Sequence, residues 1–278
     1  MTTAAEAMVA AMARLRAAGV PDPARDARVL LAHAAKVDAA RVTLIAPEDI
    51  APDIAERYDA LVALRAVRVP VSQLIGAREF YGRAFEISRD VLDPRPETEA
   101  LIEAALSEPF AHVLDLGTGS GCILVTLLAE RREAQGVGVD LSEAACLHAS
   151  ANAARHDVAD RARILQSDWF EAVEGRYDLI VANPPYLAAE EMRDVQPELR
   201  DHEPRLALTD GEDGLSAYRI IAAHAQGYLS ARGRVLVEIG WRQGPEVTEI
   251  FRAQGWGEVT ILPDLGGRDR VVSAAKPG

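Results

Sequence analysis

Residues 183–186 read Asn-Pro-Pro-Tyr and follow the apolar run Leu179-Ile180-Val181. Together they are suited to holding a planar NH2 group still while its nitrogen acts as a nucleophile. The nitrogen of an amide or an aromatic amine has a delocalised lone pair and attacks poorly. Acceptors placed in the plane of the NH2 group hold both protons and aim the nitrogen. The Asn183 side-chain oxygen and the Pro184 carbonyl are acceptors of this kind. Proline also stiffens the backbone, so little reorganisation is needed as charge develops. Tyr186 offers a ring face to the planar group, and that face attracts partial positive charge. A blander reading is a strand-ending turn, because Asn-Pro favours turns and proline cannot donate to a sheet ladder. The chemistry that uses all four residues is methyl transfer to a planar nitrogen. It takes Asn183, Pro184 and Tyr186 as the catalytic set and Asn183, Pro184, Pro185 and Tyr186 as the substrate-binding set.

A second stretch, "LDLGTGSGC", places glycines at 117, 119 and 121. They follow an apolar strand and open a helix, where a chain without side chains can turn sharply and approach a ligand. Dinucleotide enzymes and methyltransferases share such a loop. The dinucleotide fingerprint wants a glycine at 122, which is Cys122 here. Asp140 ends the next strand, where a carboxylate can accept from both hydroxyls of a ribose; its plainer alternative is a helix cap beside Ser142. "SDWF", residues 167–170, ends a third strand. In such a fold that strand end faces an adenine ring. Trp169 either lines that pocket or packs in the core, and Asp168 is placed to accept from an exocyclic amine.

Positioning these groups takes an alternation of strands and helices. Strands are expected at "HVLDL", "GVGVDLS", "ARILQSD", "YDLIVAN" and "GRVLVEIG", with helices over 121–131, up to about 156, and over 245–253. "EVTILPD" and "DRVVSAA" read as a closing hairpin. Such alternation predicts a mostly parallel sheet covered on both faces, with ligands bound beyond the carboxyl ends of the strands. Residues 4–68 read as helices instead. Met8, Met12 and Leu15 fall at helical spacing, Gly19 and Pro21 stop that run, and Asp22-Pro23 restarts it. A third segment follows Pro52. Gly76 and Gly82 flank a predicted hairpin, and Pro94 and Pro96 force an extended connector. The expected division is 1–72 (helical), 73–97 (hairpin and connector) and 98–278 (α/β).

Bulk properties narrow the classes. The 278 residues carry a formal charge of −13, unevenly spread. Residues 1–80 hold 10 acidic and 10 basic side chains, and residues 81–278 hold 33 and 20. An acidic α/β half repels phosphate backbones and argues against direct nucleic-acid binding. Cys122 and Cys146 lack metal-type spacing and read as thiols in a reducing compartment; the six histidines form no ligand pattern, so no metal is expected. No secretion signal or membrane-spanning run is legible, so the cytoplasm is the default.

With these residues in hand, the chain resembles the HemK/PrmC family. These are methyltransferases that modify the glutamine of the Gly-Gly-Gln motif in class I peptide chain release factors. The resemblance rests on "FYGRAFEISRDVLDPRPETE", "VLDLGTGSGC", "SDWF", "DLIVANPPYL", "EPRLALTDGEDGLSAYR" and "VLVEIGWRQ", which span most of the chain. It implies a class I, Rossmann-like S-adenosylmethionine-dependent methyltransferase fold. The sheet is seven-stranded and mostly parallel with a C-terminal antiparallel hairpin, and a small N-terminal helical domain helps to recognise the release factor. By the resemblance, Gly117, Thr118, Gly119, Ser120 and Gly121 cradle the methionine part of S-adenosylmethionine, Asp140 holds its ribose, and Trp169 lines the adenine side. Asn183 lies at the junction with the substrate, and residues 183–186 take the glutamine amide. The implied partner is the Gly-Gly-Gln loop of a release factor, met by a monomer. Arg95, Glu97 and Thr98 fall near the pocket mouth without an assigned role. Asp93 departs from the family pattern, which has an apolar residue before Pro-Arg-Pro. The same Asn-Pro-Pro-Tyr chemistry also serves adenine-N6 or cytosine-N4 methylation of nucleic acids, which is the competing reading.

Overall fold

A computed structural model describes residues 2–277. The chain forms two compact units. One runs to Ala77 and also takes in Gln196–His202; the other comprises Arg78–Val195 and the chain from Glu203 onward. The short returning segment 196–202 carries no signal in the sequence that would assign it to the helical unit.

The first unit is helical: α1 (Ala4–Ala17), α2 (Pro23–Ala35), α3 (Val42–Ile45), α4 (Pro52–Ala66), α5 (Val71–Ile75) and, in chain order, α9 (Pro197–His202). Thr3 caps α1 with a capping box closed by Glu6, and Asp22 caps α2 with Pro23 in its first turn. Leu15, Leu30, Leu31, Tyr58 and Val62 are buried in one apolar core. The same unit buries an ion cluster. The Arg65 guanidinium donates to Asp26 (2.7 Å) and to Glu198 of α9 (2.9 Å), and Arg68 donates to both oxygens of Glu198.

The second unit opens with a two-stranded hairpin, β1 (Ala77–Phe80) and β2 (Arg83–Glu86). Then come α6 (Glu99–Leu106), β3 (His112–Leu116), α7 (Cys122–Glu130), β4 (Gln135–Asp140), α8 (Glu143–Arg155), β5 (Ala162–Gln166) and β6 (Tyr177–Ala182). After α9 the chain returns through α10 (Ser216–His224), β7 (Leu229–Glu238), α11 (Gly244–Ala253), β8 (Val259–Pro263) and β9 (Asp269–Ala275). Seven strands form one sheet in the order β5-β4-β3-β6-β7-β9-β8. The first five in that order run parallel, and β9 pairs antiparallel with both β7 and β8. The expected fold class is therefore found, including the closing hairpin. Helix α10 has no counterpart among the expected elements, and β7 starts earlier than the apolar run "GRVLVEIG" indicates.

The period of two along each strand feeds two separate cores. Val113, Leu179 and Val181 pack with α6 and α7, while Leu114, Leu116, Ile180 and Ala182 pack with α10 and α11. The order reverses between β4-β3 and β6-β7, which makes β3/β6 the switch point, the place where a parallel sheet opens a crevice.

Candidate active site

A cavity of about 230 Å³ lies beyond the carboxyl ends of β3, β4 and β6. Gly117, Gly119, Asp140, Trp169, Asn183 and Pro185 are among its wall residues, and Asp168 joins them. Leu92 and the stretch 204–207 complete it on the other side. Residues singled out from four separate stretches of sequence thus meet on one cavity wall.

The glycine loop divides its labour. Gly117 and Gly119 have positive φ; a Cβ would meet nothing within 4 Å at Gly117 and only the Gly117 carbonyl oxygen, at 4.0 Å, at Gly119, so a ligand can lie against the bare backbone. The amides of Gly117 and Thr118 both donate to the Val139 carbonyl at 2.9 Å, which ties the loop to β4. Thr118 and Ser120 are buried and do not line the cavity. Thr118 donates to Asp115 (2.7 Å), and the Ser120 carbonyl accepts from the Asn152 side chain (2.8 Å). Gly121 serves packing: a Cβ there would stand 3.0 Å from the Ala149 Cα of α8.

Asp140 is both a cap and a wall residue. Its Oδ2 accepts from the Gly119 amide and its Oδ1 from the Ser142 amide, each at 2.9 Å. Ser142 itself caps α8. Each oxygen keeps a second lone pair, and the carboxylate stands on the cavity wall. Burial raises its pKa even though these two amides pull the other way. Trp169 is half-buried and holds φ +47, a left-handed backbone that is costly for an aromatic residue. Ser167 holds that turn, donating to the Trp169 carbonyl and accepting from the Ala172 amide. Trp169 both lines the cavity and packs against the core on the α10 and α11 face, so the two alternatives read from the sequence hold together.

Below the loop, Asp115 is wholly buried, with Oδ1 lacking any hydrogen-bond partner. Burial pushes its carboxyl up to about 7, against the Thr118 hydroxyl that favours the anion. A group with a higher pKa folded than unfolded binds its proton more tightly when folded. Its contribution to stability is full below the ordinary 3.8 and is lost as pH rises through about 7. The thermal midpoint should therefore fall across that window, and Asp115→Asn should make the fall shallower. Melting curves from pH 4 to 8 check this; equal slopes in the two proteins would remove Asp115 as a source.

Asn183 is half-buried at the end of β6, and its Nδ2 donates to the Thr98 hydroxyl at 3.2 Å. Pro185 lies beside it on the wall, whereas Pro184 is buried. Tyr186 packs on the core of the α10 and α11 face, and that burial pushes its phenol up to about 12. Its backbone is clamped. Gln243 donates to the Tyr186 carbonyl (2.9 Å) while accepting from the Gly240 amide (2.9 Å). Gly214, at φ +74, sits so close that a Cβ would come within 2.3 Å of the Tyr186 carbonyl oxygen. Gly214→Ala should cost about 2 kcal/mol or more through clash and left-handed strain. Urea unfolding measures the loss, and turnover should suffer more than cofactor affinity because the displaced segment is 183–186. An alanine variant as stable as the parent would rule the clamp out.

Sequence reasoning missed this supporting layer. Thr98 lies in "PRPETE", Gly214 in "DGEDGLS", and Gln243 in "EIGWRQ". Each of the three reads locally as an ordinary connector, turn or loop residue, so the sequence carries no signal of the role. In the connector, Arg95 donates to both Glu203 oxygens (2.6 and 2.7 Å), and Arg78 Nε stands 3.7 Å from the Asp93 carboxylate. The unusual Asp93 is thus buried beside a counter-ion from β1. No set of three or more histidine, cysteine or acidic residues among the described residues is arranged to hold a metal. No described helix is long and apolar enough to cross a membrane.

Family models match the chain in two places: residues 6–76 as a PrmC N-terminal domain and residues 85–236 as a methyltransferase small domain. The chain is 57% identical over 274 residues to the release factor glutamine methyltransferase of Cereibacter sphaeroides, covering 99% of each. It is 40% identical to that of Agrobacterium fabrum, covering 98% of this chain and 96% of the relative. Among solved structures, a methyltransferase from Pyrococcus furiosus superposes with TM-score 0.56 at 15% identity, covering 79% of this chain and 98% of that one. The hMettl16 catalytic domain gives 0.60 at 16%, covering 78% and 82%. At these identities the two structures attest the fold alone.

Proposed function

The chain belongs to the family of release factor glutamine methyltransferases, and from that premise we propose that it methylates the side-chain nitrogen of the glutamine in the Gly-Gly-Gln motif of class I peptide chain release factors. The observation that carries the reading is the shared wall on which Asn183 and Pro185 stand beside Gly117, Gly119 and Asp140. The residues fit S-adenosylmethionine as methyl donor. The bare backbone at 117 and 119 leaves room for its amino-acid part, the Asp140 carboxylate has lone pairs for ribose hydroxyls, and Trp169 offers a flat apolar face to adenine. When bound, the donor supplies a sulfonium methyl open to attack.

This chain's own contribution is positioning. Asn183 Oδ1 and the Pro184 carbonyl accept the two N–H bonds of the glutamine amide and direct its nitrogen at the methyl. With the donor held by Gly117, Gly119, Asp140 and Trp169, the nitrogen so directed would take the methyl, the N–C bond forming as the donor's S–C bond breaks. The proton leaves the cationic nitrogen afterwards, so no strong base is required, and the products are N5-methylglutamine and S-adenosylhomocysteine. The segment 183–186 needs rigidity for this, which the Gln243 and Gly214 clamp provides. The helical unit contributes to recognising the release factor, and the enzyme works as a cytoplasmic monomer. The acidic balance of residues 81–278 stands against a nucleic-acid substrate.

The test is to incubate the protein with S-adenosylmethionine, a class I release factor and an adenine-rich oligonucleotide, then digest and weigh the products. A methyl on the Gly-Gly-Gln peptide is expected. A methyl on the oligonucleotide and none on the peptide would reverse the reading.

A further inference from the structure

The three residues after Tyr186 are held by a loop that the reaction as described does not use. The Leu187 amide donates to the Leu208 carbonyl (3.0 Å), and the Ala189 amide to the Glu212 carbonyl (2.8 Å). Leu187 also pairs with Thr209 in a parallel bridge. Gly214 then comes so close to the Tyr186 carbonyl that no Cβ would fit between them. Residues 208–214 thus form a rail along which the chain leaves the Asn-Pro-Pro-Tyr stretch. Beyond that one bridge the rail is irregular, with no helix or sheet of its own to keep it in place.

One half-buried carboxylate supplies the hold. Asp210 Oδ1 accepts from the amides of Glu212 (2.8 Å) and Gly214 (3.0 Å), the two rail residues that meet Ala189 and Tyr186. Its Oδ2 accepts from the amide (3.1 Å) and the hydroxyl (2.7 Å) of Ser216, the first residue of α10. That helix is seated firmly: Tyr218 and Ile221 are buried in the core, and the Tyr218 hydroxyl donates to the Glu238 carbonyl at the end of β7 (2.8 Å). One oxygen therefore takes the rail and the other the helix, and the lone pairs of both are in use. We propose that Asp210 is a positioning residue for the methyl transfer: by tying the rail to α10 it fixes residues 186–189 and, through them, the aim of Asn183 and Pro184 at the substrate nitrogen. Hydrogen bonds to a carboxylate are among the stronger ones, and a misplacement of about 1 Å at reacting groups is enough to cost rate. Asp210 is not on the cavity wall, so it acts through the backbone. The inference rests on the reading that residues 183–186 take the amide of the substrate.

Asp210→Asn keeps the shape but leaves one oxygen and one NH2. Whichever pair the oxygen serves, the NH2 is set against a backbone amide of the other, so either the rail or the helix end comes loose. Single-turnover methylation of a release factor should slow about tenfold, the size of one such bond. Affinity for S-adenosylmethionine should stay within about threefold, since no cofactor contact is removed. Ser216→Ala takes away one hydroxyl on the helix side, leaves both rail amides held, and should methylate within about threefold of the parent. A second readout needs no turnover: Asp210→Asn should speed amide exchange at Leu187 and Ala189 and leave Ile180, inside β6, unchanged. Asp210→Ala, which strands no NH2 against a donor, serves the same measurements should the asparagine variant fold poorly. Methylation at the parental rate by the folded variant would overturn the proposal, as would unchanged exchange at Leu187 and Ala189. A loss of cofactor affinity equal to the loss of rate would also overturn it, and so would a Ser216→Ala protein as slow as Asp210→Asn. If the parent itself leaves the release factor unmethylated, the functional reading fails, while exchange at Leu187 and Ala189 still decides whether Asp210 holds the segment.

Discussion

Asn183→Ala should lower single-turnover methylation of a release factor by about 100- to 1,000-fold, the range seen when one preorganised partner of a developing charge is removed. Two features set this size. In the proposed reaction the side chain is one of two acceptors for the amide protons, and it stands at the switch-point end of β6. The variant should retain affinity for S-adenosylmethionine, because the groups assigned to ribose and adenine, Asp140 and Trp169, are held by their own hydrogen bonds. Calorimetry of cofactor binding beside rapid-quench methylation separates the two effects. Loss of binding in proportion to rate would make Asn183 a cofactor residue first; near-parental rate would remove it from the chemistry.

The sheet was legible because its strands are short, apolar and punctuated, and because period-two alternation such as Val113/Leu114 feeds two cores. The meeting of Asn183 and Asp140 on one cavity wall was legible for a related reason: each is a polar residue at the carboxyl end of an apolar strand. What the sequence hid is long-range. Gly121 looks like part of a ligand loop, yet its missing side chain makes room for α8. Gly214 reads as an ordinary turn glycine until its neighbour is known to be the Tyr186 carbonyl, and nothing local marks Glu238 as a wholly buried acid. Tyr186 reads as a ring face for the substrate, and in the fold it is partly buried against the α10 and α11 core, outside the cavity wall on which Asn183 and Pro185 stand. Local pattern reports which face a residue occupies; it carries no information on which distant segment arrives opposite.

The same limit applies to Arg65, where the largest expected effect on stability lies. In the sequence it is one arginine in the helix α4; in the fold it is buried between Asp26 of α2 and Glu198 of α9, 133 residues away. Arg68 shares Glu198 and pulls its carboxyl below the ordinary range together with Arg65. Arg65→Leu would leave Asp26 buried with its guanidinium partner gone and would weaken the hold on α9. Breaking a buried pair by removing one partner costs about 3–5 kcal/mol, much more than a surface pair contributes. The expected result is a loss of that order in urea unfolding, with faster amide exchange in α9 and faster tryptic cleavage at Arg200. Adding Asp26→Asn to Arg65→Leu should recover part of the stability by removing the stranded charge, but not the exchange protection of α9, which depends on the bonds to Glu198. If the single variant lost less than about 1 kcal/mol, the pair would rank with exposed ones, and Arg68 alone would be enough to hold Glu198 in the helical unit.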